Sequence, residues 1–289
     1  MSTSTFASPD ASPGTPRDDL PPLGVRLRHL VSDSLVMTGR NLQHVRQIPE
    51  KLLDVTLQPI MFVLLFGFLF GGVIAIPDGA YGEYLLGGVL IQSLGFGIMG
   101  PATSIATDLR EGVVDRFLTL PTSRAAYIIG HVLAELGAMG IAVIIISLSG
   151  LIIGWRIHSD LGHAVAAYGL IMLFAFAMLW AGMLLGISVR SPDAAQGAVF
   201  MTIFPMTFLA STFVPVGGLS PFLQTLASWN PISAEVAAVR QLFGNPTGMP
   251  PDPAWPLQHA VPVAIGWSLL VLVICVPLAL RGFKRRTTT

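Results

Sequence analysis

DLREGVVDRFLTLPTSRAAYIIGHVL, residues 108–133, joins a short charged stretch to the start of a long apolar run. On a helix Leu109, Val113, Phe117 and Leu120 share one face, and Asp108, Arg110, Glu111, Asp115 and Arg116 occupy the rest. Pro121 ends the pattern, since it has no N–H to donate and crowds the preceding turn. A solvated connector would explain the charges but not the ordered apolar stripe. The spacing therefore predicts an amphipathic helix between two membrane-crossing segments.

Outward from this stretch the chain is dominated by apolar runs. A helix needs about 20 apolar residues to cross the hydrocarbon, where no water satisfies an exposed backbone. Six segments reach that length, at about 55–76, 85–106, 126–153, 164–188, 196–215 and 261–281. The composition agrees: 53% of the 289 residues are hydrophobic and 11% charged, against roughly 25% charged in a soluble domain. The expected class is an all-α membrane protein with six transmembrane helices.

Basic and acidic residues, 16 of each, cancel, so no global field recruits nucleic acid. The single cysteine, Cys275, excludes an intrachain disulfide and a thiolate metal cluster, and no metal site is expected. Residues 1–30 open on a stretch rich in Ser, Thr, Pro and Asp that cannot bury enough apolar surface to fold. They are expected to form a disordered cytoplasmic tail, ahead of a membrane domain over 31–283 and a basic cytoplasmic tail over 284–289.

Orientation follows from the basic residues, which are retained on the cytoplasmic side during insertion. With both termini inside, the inner segments hold Arg17, Arg26, Arg28, Arg40, Arg46, Lys51, Arg110, Arg116, Arg124, Arg190, Arg281, Lys284, Arg285 and Arg286. Only Arg156 and Arg240 fall outside. Residues 34–48 place Leu35, Leu42, Val45 and Ile48 opposite Arg40, Gln43, His44 and Gln47, which suits an interfacial helix ended by Pro49. After the fifth span, Phe222, Leu223, Leu226 and Trp229, then Val236, Val239 and Leu242, recur at helical spacing. Two short helices dipping into the outer leaflet are expected there.

Arg110-Glu111-Gly112, the run to Leu120-Pro121 and then Thr122-Ser123-Arg124 resemble the coupling motif of ABC-2 type transporter permeases. Ser191-Pro192-Asp193, Phe213-Val214-Pro215 and Asn230-Pro231 followed by Arg240 resemble that family's fifth span and outer segment. The chain is most similar to the daunorubicin/doxorubicin-resistance permeases of actinobacterial exporters. It departs from many members at Val113-Val114-Asp115, where they carry Thr-Leu-Glu, so the acidic position is Asp115 and the threonine hydroxyl is missing.

The resemblance implies a coupling helix, with Arg110, Glu111, Gly112, Asp115, Pro121 and Arg124, that docks on a separate ABC ATPase. It implies a second permease, identical or homologous, and a bacterial inner-membrane location. The chain has no G-x-x-x-x-G-K-[ST] phosphate cradle, since its only lysines are Lys51 and Lys284 and neither follows the required glycines. No cofactor is expected on this chain; ATP and Mg would be bound by the partner.

His131 and Glu135 lie four residues apart in the third span, on one helical face. Ionisable groups in hydrocarbon are costly and face a cavity or a partner. They are read either as part of a substrate path or proton relay, or as a mutual hydrogen bond near the cytoplasmic end. Gln92 and Gln196 are further substrate-path candidates. Gly67 and Gly71, Gly150 and Gly154, and Gly182 and Gly186 match the spacing that lets helices approach, as expected within one bundle.

The expected function is ATP-driven export of a hydrophobic drug or antibiotic, with export of a lipid or lipid-linked glycan as the alternative. A membrane-embedded enzyme is disfavoured by the lack of G-x-S-x-G, H-E-x-x-H or paired aspartates within the spans. A secondary transporter would carry internal repeats, and the two halves show none.

Overall fold

The computed structural model describes residues 49–76, 79–112, 124–250 and 252–286. Its helices, in chain order, are α1 (Pro49–Phe70), α2 (Tyr81–Phe96), α3 (Met99–Arg110), α4 (Arg124–Ile152), α5 (Leu161–Ser188), α6 (Pro192–Leu209), α7 (Pro221–Ser228), α8 (Pro231–Phe243), α9 (Trp255–Gln258) and α10 (Ala260–Arg286). Among the described residues the only β pairing is an isolated bridge between Ile76 and Gly79.

Each of the six expected spans falls on a helix. The α2–α3 pair, α4, α5 and α10 are long and apolar enough to cross a membrane, and α1 adds a shorter apolar part over Leu57–Phe70. The two short helices expected after the fifth span are α7 and α8. The tail over 1–30 and the interfacial helix over 34–48 lie outside the described residues. Pro49 is the first described residue of α1, and a first-turn position is one where its missing N–H costs nothing.

Several boundaries differ from the sequence reading, and the first span already ends at Phe70, not near 76. The second span begins at Tyr81 and continues to Arg110 with a bend at Gly97–Ile98. Pro101 has no N–H to offer the Gly97 carbonyl one turn back. Past Arg110 the chain turns at Gly112, whose φ of 67° is left-handed and stops a helix there. The amphipathic helix expected from Asp108 therefore does not start at Asp108: residues Asp108–Arg110 form the last turn of α3, and 113–123 lie outside the described residues.

The fifth span ends at Leu209, not near 215. Thr212 Oγ1 donates back to the Thr207 carbonyl at 3.0 Å, a local bond that competes with continued helix. At the other end of the chain, Lys284, Arg285 and Arg286 form the last turn of α10. There their charge favours the negative end of the helix dipole, so the basic tail starts inside the helix.

The apolar centre of the bundle is α5, which packs on α10, α3, α8 and α4. Gly182 and Gly186 explain how α3 comes so close: a Cβ on either would lie 2.3 Å from the Ile98 or Ala102 carbonyl oxygen. Asp160 caps α5 by accepting from the Gly162 N–H at 3.0 Å. The hydrogen bond from His163 holds the Asp160 carboxyl below the usual carboxylate range. On the periphery, Phe68, Met201 and Val273 project outward, as befits surfaces that meet lipid or another apolar chain.

Gly186→Leu is expected to push α3 off α5, because the obstructing atom is a backbone oxygen. Overpacking of this kind costs about 1–3 kcal/mol. Thermal unfolding of the detergent-purified protein should show it, with Gly169→Leu, whose Cβ would meet nothing within 4 Å, as the control that stays near wild type.

Candidate functional site: a mid-bundle cavity and the strap beside it

A cavity of about 400 Å³ opens among α1, α2, α3, α4 and α6. Its apolar wall includes Phe62, Phe96, Met99, Met139 and Phe200, and its polar groups include Gln58, Gln92, Thr103, Glu135 and Gln196. Few polar groups in an apolar wall, at this size, is the usual make-up of a small-molecule site. The bend between α2 and α3 shapes it. Gly97 accommodates Met139, since a Cβ there would come to 2.1 Å from its terminal methyl, and Gly100 lies against the Glu135 carboxyl, 3.4 Å from a built Cβ.

Three of the four substrate-path candidates, Gln92, Glu135 and Gln196, thus share one cavity although they come from three helices. His131, one turn earlier on α4, is not part of its lining. Glu135 is buried, at 8% exposure. Gln58 and Thr103 were not singled out in the sequence; a glutamine inside the first apolar run was the available signal for the former.

The sequence reading placed 210–215 in the fifth span, with Phe213-Val214-Pro215 matching a family motif; in the structure it is an unwound strap between α6 and the 3₁₀ turn Val216–Gly218. Its carbonyls are taken by side chains from α2 and α8. Arg240 Nη1 donates to the Ser211 oxygen at 2.8 Å, Nη2 to the Thr212 oxygen at 3.1 Å and Nε to the Tyr84 oxygen at 2.7 Å. Tyr84 Oη donates to the Ser211 oxygen at 2.7 Å and Tyr81 Oη to the Phe213 oxygen at 3.2 Å. The Arg240 guanidinium also lies 3.5 Å from the centre of the Tyr84 ring. Expected in the outer loop, Arg240 is instead 0% exposed, its charge met by carbonyl dipoles and a ring face.

At the opposite end of the bundle, Tyr127 Oη on α4 donates to Asp108 Oδ2 on α3 at 2.5 Å. The Tyr127 ring stacks on Phe283 of α10. The turn at Glu111–Gly112 is therefore tied to two further helices. Of the six coupling candidates, Arg110, Glu111 and Gly112 sit at this turn and Arg124 opens α4; Asp115 and Pro121 lie outside the described residues.

A family model described as "ABC-2 type transporter" matches residues 33–243. The chain belongs to the ABC-2 type transporter family. It is similar, at 27% identity over 89% of its length and 87% of the relative's, to the daunorubicin resistance ABC transporter permease protein DrrB1 of Streptomyces coeruleorubidus. It is 25% identical to the doxorubicin resistance ABC transporter permease protein DrrB of Mycobacterium tuberculosis, over 74% of this chain and 73% of the other. A putative transport permease, ycf38 of Cyanophora paradoxa, is 20% identical over 84% and 85%.

As an ABC-2 permease the chain is a membrane transport subunit, and the resemblance read from its motifs holds over the cavity and the strap alike. Replacing Arg240 by Met in this permease removes three hydrogen bonds to a buried cation. Losing even two, at about 1.5 kcal/mol each, should lower stability by at least about 3 kcal/mol. Thermal unfolding of the purified protein measures this, and an unchanged melting temperature would rule out the clamp.

Proposed function

We propose that this ABC-2 permease exports a hydrophobic, drug-like compound across a bacterial inner membrane, driven by ATP hydrolysis on a separate ABC ATPase chain. That partner would bind ATP and Mg, and a second permease would complete the exporter. The observation that carries the reading is the cavity that gathers Gln92, Glu135 and Gln196 within an apolar, aromatic wall. The Streptomyces and Mycobacterium relatives, named for daunorubicin and doxorubicin resistance, favour a drug as cargo.

Both termini would be cytoplasmic. The sixteen basic residues support this: with Arg240 buried, Arg156 is the one exposed cation left to the outer side among the described residues. The Glu111–Gly112 turn then faces the ATPase. Closure of the ATPase would press on Arg110, Glu111 and Gly112, and on Asp115, Pro121 and Arg124 beyond them. Asp108, Tyr127 and Phe283 would pass that displacement to α4 and α10, rocking the walls of the cavity. Glu135, Gln92 and Gln196 would orient the cargo's polar groups, with His131 nearer the cytoplasmic entrance.

Two measurements test this. In cells carrying the permease with its ATPase, anthracycline accumulation should fall relative to cells lacking either; equal accumulation would exclude a drug of this kind. Gly112→Pro, at a residue with left-handed φ, and Glu111→Ala should cut export about tenfold or more while membrane insertion stays normal. Normal export by both would remove the coupling role.

A further inference from the structure

The cavity has a built end. On α1, Phe66 and Phe70 follow the lining residues Gln58 and Phe62; on α6, Phe204 and Phe208 follow Gln196 and Phe200; on the oppositely running α2, Tyr84 and Tyr81 precede Val89 and Gln92. All three helices thus point beyond the cavity to the same place, and Phe213 occupies it. Its ring stacks on Phe62 at 5.9 Å and on Phe66 at 4.6 Å, and lies 5.6 Å from Phe208. Phe62 is shared between the cavity wall and this cluster.

Phe213 is carried by backbone that is not helical. Three consecutive carbonyls, those of Ser211, Thr212 and Phe213, are held from outside the strap by Arg240, Tyr84 and Tyr81. The Ser211 N–H is held as well, by Ser233 Oγ at 3.2 Å. A plain loop would not need a fully buried guanidinium, whose desolvation is costly. Nor could a lysine replace it, because one ammonium cannot reach carbonyls spread as a planar fork reaches them. Strap, ring and cation form one removable assembly: the strap is attached by side chains, which can let go, where a helix would be attached by its own ladder.

The geometry points to Phe213 as the gate that shuts the cavity toward the α7–α8 end, and to Arg240 as the latch that holds the gate closed. This rests on the export reading above, in which the cavity is the passage and the α7–α8 end is the outer one. Cargo leaves when Arg240 releases the Ser211 and Thr212 carbonyls and the Phe213 ring swings off Phe62 and Phe66. Arg240 is a positioning residue in this scheme, since it touches the strap and not the cargo.

Sided labelling of the full permease with its ATPase tests the gate. In a Cys275→Ala background, Ser93→Cys places one thiol in the cavity wall, and a membrane-impermeant maleimide is added to the outside of nucleotide-free, right-side-out vesicles. With Phe213 in place the thiol should label slowly. Phe213→Ala should speed outside labelling about tenfold or more, with Phe213→Leu between the two. Arg240→Lys should give the same rise by freeing the strap.

A merely structural Arg240 would lower abundance and melting temperature without changing the ratio of outside to inside labelling. An unchanged ratio in folded Phe213→Ala protein overturns the gate, and so does rapid outside labelling with Phe213 present. Should Arg240→Lys not fold, the Phe213 pair still decides. The underlying export reading fails differently: Ser93→Cys would then label from neither side with or without ATP, whereas labelling from the inside alone in every variant sinks only the gate.

Discussion

A polypeptide within a bilayer must satisfy its own peptide groups, because hydrocarbon offers no partner. Helices do so without help, and nearly all of the bundle obeys that constraint trivially. The strap over 210–215 does not, since α6 stops at Leu209 and the carbonyls that follow have no helical donors. Arg240, Tyr84 and Tyr81 supply those donors. The position of α8, which carries Arg240, and the register of α2, which carries both tyrosines, follow from this one repair. Gly87 and Gly88 make room for it: a Cβ on Gly87 would come to 3.0 Å from Arg240 Cγ, and one on Gly88 to 2.2 Å from the Thr212 oxygen.

The same constraint explains why α8 can lie inside the bundle although it carries two ionisable residues. Its Asn230 cap accepts from the Ile232 N–H at 2.9 Å and donates to the Met206 carbonyl at 2.6 Å, tying the start of α8 to the end of α6. Glu235, 1% exposed, accepts from Ser268 Oγ of α10 at 2.7 Å. Polar side chains facing inward fasten α8 to three neighbours where apolar contact alone would give no register, since lipid competes equally for apolar surface. At the other end of the bundle the Asp108–Tyr127 bond does a similar task beside the Gly112 turn.

Much of this was legible from one chain. Apolar length located all six helical runs, and the helical spacing of Val236, Val239 and Leu242 announced α8, which the structure starts at an Asn230 cap with Pro231 in the first turn. Gly112 was singled out by its place in a motif, and the structure adds the reason glycine stands there, a left-handed φ. Where the boundaries slipped, particular contacts decided: α6 stops where Thr212 Oγ1 donates back to the Thr207 carbonyl, and the second span bends ahead of Pro101, where the α3 backbone lies tightly against Gly182 and Gly186 of α5. Hydropathy cannot distinguish helix from unwound apolar backbone, so Ala210–Pro215 read as more of the fifth span.

The sequence by itself determined the helical membrane class, the lopsided placement of basic residues and the family, since each depends on composition or order along the chain. Only the tertiary structure decided that Gln92, Glu135 and Gln196 meet in one cavity while His131 stays out of its lining, and that Arg240 is buried rather than in an outer loop. The reason is geometric. Periodicity tells which side of a helix is apolar, but which helix lies opposite depends on close approach at a few glycines and on hydrogen bonds between residues more than a hundred positions apart, such as Arg240 with Tyr84.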